Sequence, residues 1–321
     1  MRGFARCAAA GTFVTLAGIY VGAQAPAAPA RDPAPILAAA RQALGGDKKL
    51  TAVKSFTAAG RTKQVRGENL VPIEFEIFVE LPDKYVRKDE VPAQETGVTA
   101  AGFNGDDLVQ DPPPPPPPPM PTPPAGAPSG PPRNPSAARV TTLKQDFARL
   151  ALGMFATSFS AYPLTFTYVG EAEAPQGKAD VIDAKGPNNF TLRLFIARDT
   201  HLPIMVSWQA PAPPAGRGRP GGPGAPAPAG PQGAPGAPAI QGAAPPPGAQ
   251  RGAPPAGAAP AGAPQALPEN RLYFADYRDV DGLQFPFRLR GAVGADTVEE
   301  TTFDRYKVNA KIDPKRFEVR K

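Results

Sequence analysis

Ile73-Glu74-Phe75-Glu76-Ile77-Phe78-Val79-Glu80 alternates apolar and mostly acidic side chains. A β-strand points successive side chains to opposite faces, so this stretch buries Ile73, Phe75, Ile77 and Val79 and turns its three glutamates to water. A helix would scatter the same residues around its axis. The period of two extends outward from here. Phe56–Gln64 precedes the stretch as a strand and Lys84–Glu90 follows it. Asn104-Gly105 between apolar runs predicts a tight hairpin joining Thr99–Phe103 to Leu108–Gln110, because both central positions of such a turn need positive φ.

The same pattern resumes later in the chain. Leu164–Gly170, Asp180–Ala184, Phe190–Arg198 and Leu202–Gln209 read as strands, as do Arg271–Arg278, Leu283–Arg290 and Val298–Val308, with Asp281-Gly282 as a second hairpin turn. Two segments change period. Asp32-Pro33 caps a short amphipathic helix carrying Ile36, Leu37, Ala40 and Leu44, which Gly45-Gly46 stops. Val140, Leu143, Phe147, Leu150, Met154 and Phe155 form the stripe of a second helix. Short strands in hairpin succession imply a mainly β, antiparallel sheet of about 10–12 strands, either a barrel or a strongly curved sheet, covered by two helices.

Of 46 prolines, 33 fall in two blocks, 112–138 and 211–268. These blocks are too rich in Pro and Gly to bury a core and are expected to be disordered insertions, Pro112–Pro119 being a stiff polyproline II rod. The second block lacks a Gly-X-Y period, which excludes collagen. Residues 24–321 then make one interrupted domain. Residues 1–23 read as a cleaved signal peptide: Arg2 and Arg6, an apolar run from Cys7 to Val21, and a small-residue cleavage site at Val21-Gly22-Ala23. The expected location is the periplasm, with no membrane span in the mature chain.

The net charge of +6 is placed just as unevenly. Arg2, Arg6, Arg133, Arg217, Arg219 and Arg251 account for all of it and lie in the leader or the blocks. The folded part is near neutral, and no nucleic-acid-binding face is implied. Cys7 is the single cysteine and sits in the leader, so disulfides, thiolate metal sites and cysteine nucleophiles are excluded from the mature chain.

Few residues could carry chemistry. The single histidine, His201, sits in the turn Asp199-Thr200-His201-Leu202-Pro203 with no nucleophile or ligand partner nearby. Asp276, Asp279 and Asp281 lack the spacing and closing glutamate of a calcium loop. Glu74, Glu76 and Glu80 are expected on a solvated strand face. No Gly-rich loop leads from a strand into a helix to cradle phosphate. The chain is read as a non-enzyme without cofactor or metal.

Several short motifs, in order, resemble the LolA/LolB-like family of periplasmic lipoprotein carriers. After the leading helix come a strand opening on Ser55-Phe56-Thr57-Ala58, then Leu81-Pro82-Asp83-Lys84-Tyr85, then the hairpin Phe103-Asn104-Gly105-Asp106-Asp107-Leu108. The chain closes on Tyr306-Lys307-Val308-Asn309 and Ile312-Asp313-Pro314-Lys315-Arg316-Phe317. The resemblance covers roughly 33–111, 139–210 and 270–321. It implies an unclosed β-barrel, lidded by helices, whose apolar concavity holds the acyl chains of a lipoprotein or another amphiphilic lipid. Leu81 stands where these carriers have arginine, and the two insertions are foreign to them. Phe75, Ile77, Phe166, Leu192, Leu194, Phe285 and Phe287 are the expected lining of that concavity. The competing expectation is an envelope scaffold that binds a protein partner through its Pro-rich segments.

Overall fold

The computed structural model describes residues 31–67, 69–92, 97–113, 134–174, 177–210 and 267–318. The expected signal peptide, residues 114–133 of the first Pro-rich block and residues 211–266 of the second lie outside the described residues. Twelve strands form a single antiparallel sheet. They are β1 (Ser55–Arg66), β2 (Asn69–Glu80), β3 (Lys84–Glu90), β4 (Thr99–Asn104), β5 (Asp107–Asp111) and β6 (Thr165–Ala174). The second half is β7 (Gly177–Gly186), β8 (Phe190–Ala197), β9 (Pro203–Gln209), β10 (Glu269–Val280), β11 (Leu283–Val293) and β12 (Asp296–Val308). Their spatial order is β5-β4-β3-β2-β1-β12-β11-β10-β9-β8-β7-β6, so two meanders meet where β1 pairs with β12. The edges β5 and β6 do not pair, and the sheet is not closed into a barrel.

The alternating stretch Ile73–Glu80 lies in β2. Ile73, Phe75, Ile77 and Val79 are buried, and Glu74 and Glu76 are exposed. Both hairpins form, but the first turns on Gly105-Asp106, not Asn104-Gly105: Asn104 ends β4 opposite Asp107, and Gly105 alone of the pair takes positive φ. Gly105 has φ 60° between Asn104 and Asp107, and Asp281 and Gly282 have φ 57° and 79° between Val280 and Leu283.

Among the described residues three α-helices accompany the sheet, one more than the sequence suggests. The first is α1 (Ala34–Ala43), whose leading N–H on Ala34 donates to Asp32 Oδ1 at 2.9 Å. Gly45 and Gly46, expected as a stop, instead reverse the chain into α2 (Asp47–Ala52). Gly46 takes φ 89° and its carbonyl accepts the N–H groups of Lys49 and Leu50. One turn carrying a single buried Leu50 is too short to show a period. The long helix is α3 (Pro135–Phe155). It begins inside the first Pro-rich block, because Asn134 Oδ1 accepts from the N–H groups of Ser136 and Ala137 and Pro135 needs no donor there. That block therefore separates an edge strand from a helix, not two hairpin strands. The second block does join neighbours, since β9 and β10 pair directly, Gln209 opposite Glu269.

Helix α3 shows how far the sheet curls. It touches β4 and β5 near one edge and also β9 and β11. In a flat sheet β5 and β9 would lie about 38 Å apart at roughly 4.8 Å per strand, more than the helix's length of about 30 Å. The sheet wraps around α3 instead. A second, smaller core lies between the sheet and the C-terminal segment, where Ile312 and Phe317 of the short 3₁₀ turn Pro314–Phe317 and its approach pack with Val86 and Val109.

Candidate functional site

The in-facing row of β1 runs Phe56, Ala58, Gly60, Thr62, Gln64 and Arg66. Its start is apolar and its end polar. β12 runs the same way from Phe303 through Thr301 to Glu299, and β3 from Tyr85 through Arg87 to Asp89. Because Thr62 pairs with Thr301 and Gln64 with Glu299, the changes of polarity coincide in space. The concave face thus has an apolar end and a polar end.

The apolar end is filled. Phe56, Phe155 and Phe285 meet at ring separations of 5.9–6.1 Å, and Tyr306 stacks on Phe285 at 4.9 Å. Burial raises the Tyr306 hydroxyl well above its ordinary pKa, and that hydroxyl donates to Pro286 O at 2.7 Å. From α3, Phe147 packs on Tyr85 and Phe103. The C-terminal half of α3 is buried all round, from Phe147 to Phe155. Such a helix is enclosed by its sheet and does not merely lie on it.

Three devices seat α3. Gly153 approaches β10 so closely that an added Cβ would lie 2.1 Å from the Phe274 ring. The buried Tyr277 hydroxyl lies 2.8 Å from both Gly153 O and Pro203 O, tying the helix to β9 and β10. Desolvation lifts that hydroxyl well above its ordinary pKa, so it stays a donor. The buried Arg149 donates to Asp146 at 2.8 Å and lies over the rings of Trp208 and Phe190 at 4.3 and 4.9 Å. At the other end, Lys144 Nζ meets Asp106 in the β4–β5 turn at 2.7 Å. That ammonium holds the Asp106 carboxyl below its usual value.

Beside α3, toward the polar end, a cavity of about 70 Å³ remains. Ile73, Ile77, Leu143, Leu150, Leu272, Leu289 and Phe303 make its apolar wall. Thr62, Gln64, Arg87, Asp89, Glu299 and Thr301 make the polar one. These polar side chains are deeply placed: Asp89 is 4% exposed, Thr301 3% and Thr62 1%. Arg87 Nε donates to Asp89 Oδ1 at 2.7 Å, and the guanidinium lies 4.5 Å from the Phe75 ring. Burial alone would lower its pKa. The carboxylates of Asp89 and Glu299 outweigh burial and hold Arg87 above its ordinary value.

Of the residues expected to line the apolar concavity, Ile77 alone borders this space. Phe75, Leu192, Leu194, Phe285 and Phe287 are buried in the core around α3, and Phe166 packs half-buried against it. α3 occupies most of the concave face, which periodicity alone leaves undecided between open and filled, because its apolar surface is wide enough to cover the strands on every side. The polar wall escaped the sequence reading. Its signal was present, as the period of two in β1, β3 and β12 continues past the last apolar residue.

The other candidates lie elsewhere. His201 is exposed in its turn at φ 58°. Asp279 Oδ1 accepts from the Gly282 N–H and Asp276 pairs with Arg278, so this loop is built as a turn. Glu74 and Glu76 face outward within 3.8 Å of Arg61 and Arg305. Among the described residues no cluster of His, Cys, Asp or Glu is arranged to hold a metal ion, and no helix is long and apolar enough to cross a membrane.

No protein-family model and no curated protein matches the chain. Among solved structures it is similar to a LolA superfamily protein from Nitrosomonas europaea, at 13% identity and a TM-score of 0.47, covering 90% of this chain and 98% of that one. It is also similar to a DUF1329 family protein from Desulfovibrio piger, at 8% identity and a TM-score of 0.40, with coverage of 90% and 98%.

Proposed function

We propose that the chain is a non-enzymatic periplasmic binding protein, a carrier or sensor that holds the acyl chain of a lipoprotein or another amphiphile against the concave face of its sheet. One observation carries this reading. The apolar interior of an unclosed sheet is filled by a helix of the same chain, and a cavity with one apolar and one polar wall persists beside that helix. An acyl chain and α3 need the same kind of surface, and the helix is the removable part.

Size sets the mechanism. The cavity is about 70 Å³, against the roughly 150 Å³ that a buried apolar cavity needs to take a benzene ring. It admits a small group but no acyl chain. Ligand entry therefore requires α3 to shift, exposing Phe75, Phe285, Phe287, Leu192, Leu194 and Ile77, with Phe166 at the margin. Binding needs no cofactor. The signal-like leader and the motifs quoted above support export and the choice of ligand class.

The test is titration of the purified mature chain with a fluorescent, acylated peptide. Saturable binding that long-chain fatty acid competes away is expected; its absence above a heat-denatured control overturns the reading. Deleting residues 114–133 and 211–266 should leave binding intact. Loss of binding in a folded deletion variant would instead favour a scaffold that works through its Pro-rich segments.

A further inference from the structure

The outer face of the sheet points away from α3, and an antiparallel sheet with one packed face normally wets the other. Here each meander carries an apolar row on that outer face. In the first, Phe78, Val86, Gly102 and Val109 stand in register across β2, β3, β4 and β5. Val86 and Val109 are buried because the C-terminal segment lays Ile312 and Phe317 over them. Arg316 sets its guanidinium over the Phe78 ring at 4.9 Å. The stretch from Ile312 to Phe317 thus covers a row three strand steps long, about 14 Å at roughly 4.8 Å per step.

The second row crosses the other meander. Val181 pairs with Phe195, Phe195 with Met205 and Met205 with Tyr273, on β7, β8, β9 and β10. Their sequence neighbours Ile182, Leu194, Val206 and Leu272 belong to the main core, so these four side chains point outward. Val169, at the bulge beside Gly170, extends the row to the free edge β6 and is 47% exposed. Phe195, Met205 and Tyr273 are half-buried and belong to neither core.

Size, curvature and charge select an occupant. A row about 19 Å long and one side chain wide falls far short of the roughly 800 Å² per partner that a stable dimer buries. The row also bends with the sheet, which suits an extended segment better than a straight helix. A segment of that kind is what covers the first row. Past Tyr273 the surface turns basic: Arg290 lies over the Tyr273 ring at 4.3 Å, and Arg288 is exposed on the same strand face. Glu300 stands opposite Arg290 but also opposite Lys63, so positive charge is in excess there. Along the flank of the row, Arg193 and Arg271 are already paired with Asp183 and Glu269.

We propose that this outer row binds an extended segment of a partner protein. The segment lays an aliphatic and an aromatic side chain across Phe195, Met205 and Tyr273 and sets an acidic residue against Arg288 and Arg290. The inference is independent of the acyl-chain reading, because it concerns the opposite face of the sheet.

The experiment offers the full mature chain a fluorescent peptide copying Asn309–Glu318, the segment that covers the first row, with Lys311→Glu, Lys315→Glu and Arg316→Glu. Fluorescence anisotropy should show saturable binding, about tenfold tighter than for the same peptide with its basic residues kept. Replacing Ile312 and Phe317 of the peptide by serine should abolish it. In the protein, Met205→Gln should weaken binding about tenfold. Arg290→Glu, at an exposed position, serves as the second variant should the first fail to fold, and it should erase the preference for the acidic peptide. Absence of saturable binding, or binding that neither variant of the protein changes, overturns the proposal. So does self-association that depends on Met205 in sedimentation, which would make a second copy the occupant. Binding to phosphatidylglycerol vesicles that depends on Met205 overturns it too, since the occupant would then be a membrane.

Discussion

Gly153→Ala tests whether α3 is seated as described and whether a ligand competes with it. The new Cβ would lie 2.1–2.4 Å from three ring carbons of Phe274, where ordinary contact begins at 3.4 Å. Phe274 is 4% exposed and has little room to swing, so the helix must recede by about 1.3 Å, the difference between the two distances. Overpacking of this kind costs roughly 1–3 kcal/mol. Receding also stretches the Tyr277 bond to Gly153 O, worth about 1 kcal/mol. Against this, Ala in place of Gly favours a helix interior by about 1 kcal/mol. The net is a loss of about 1–3 kcal/mol, or roughly 2–12 °C in Tm for a domain of this size. If the acyl chain displaces α3, the same loss weakens the competitor, and affinity for the acylated probe should rise about fivefold or more. Differential scanning calorimetry and a fluorescence titration read the two effects. A Tm at or above that of the unaltered protein would refute the packing argument. A lower Tm with unchanged affinity would refute the competition between helix and ligand.

Tyr277→Phe leaves Gly153 O and Pro203 O without their shared donor and should cost about 1–3 kcal/mol, with amide exchange quickening first in the last turns of α3. Phe317→Ala removes the largest side chain of the small outer core and should cost about 3 kcal/mol, exposing the C-terminal segment to limited proteolysis while the sheet stays folded. The Asp106–Lys144 pair predicts a pH dependence. The Asp106 carboxyl is held below the ordinary 3.8, so the pair's contribution is full above that value and is lost as pH falls through the lowered one. Amide exchange at the N-terminal half of α3, compared with Asp106→Asn, should diverge above that range and converge below it.

Strand character was legible wherever one face of a strand is buried and the other wetted. β2 is the plainest case, and Gly105 and Asp281-Gly282 fixed their hairpins because few residues other than Gly, Asn and Asp take positive φ without strain. The place of α3 was not legible. Its stripe of Val140, Leu143 and Phe147 looks like that of any helix resting on a sheet, and only the enclosing strands reveal why Ala148, Leu152 and Gly153 are buried too. α2 was missed because one turn has no period. The polar wall is not legible from hydropathy, because Thr62, Asp89 and Glu299 face inward by pleat alone and carry no apolar mark of the interior.

The chain joins α3 to both free edges of the sheet, to β5 through residues 112–134 and to β6 through residues 156–164. A helix held this way cannot leave. It remains near the concave face at an effective concentration on the order of millimolar, as short tethers give. On the proposed function, a guest would occupy the sheet by exchange with a resident that always waits to return. Its measured affinity is the difference between two occupations of one surface, and its release needs no separate trigger. A carrier built so would deliver by lending, because the helix that makes room for the cargo is also what evicts it.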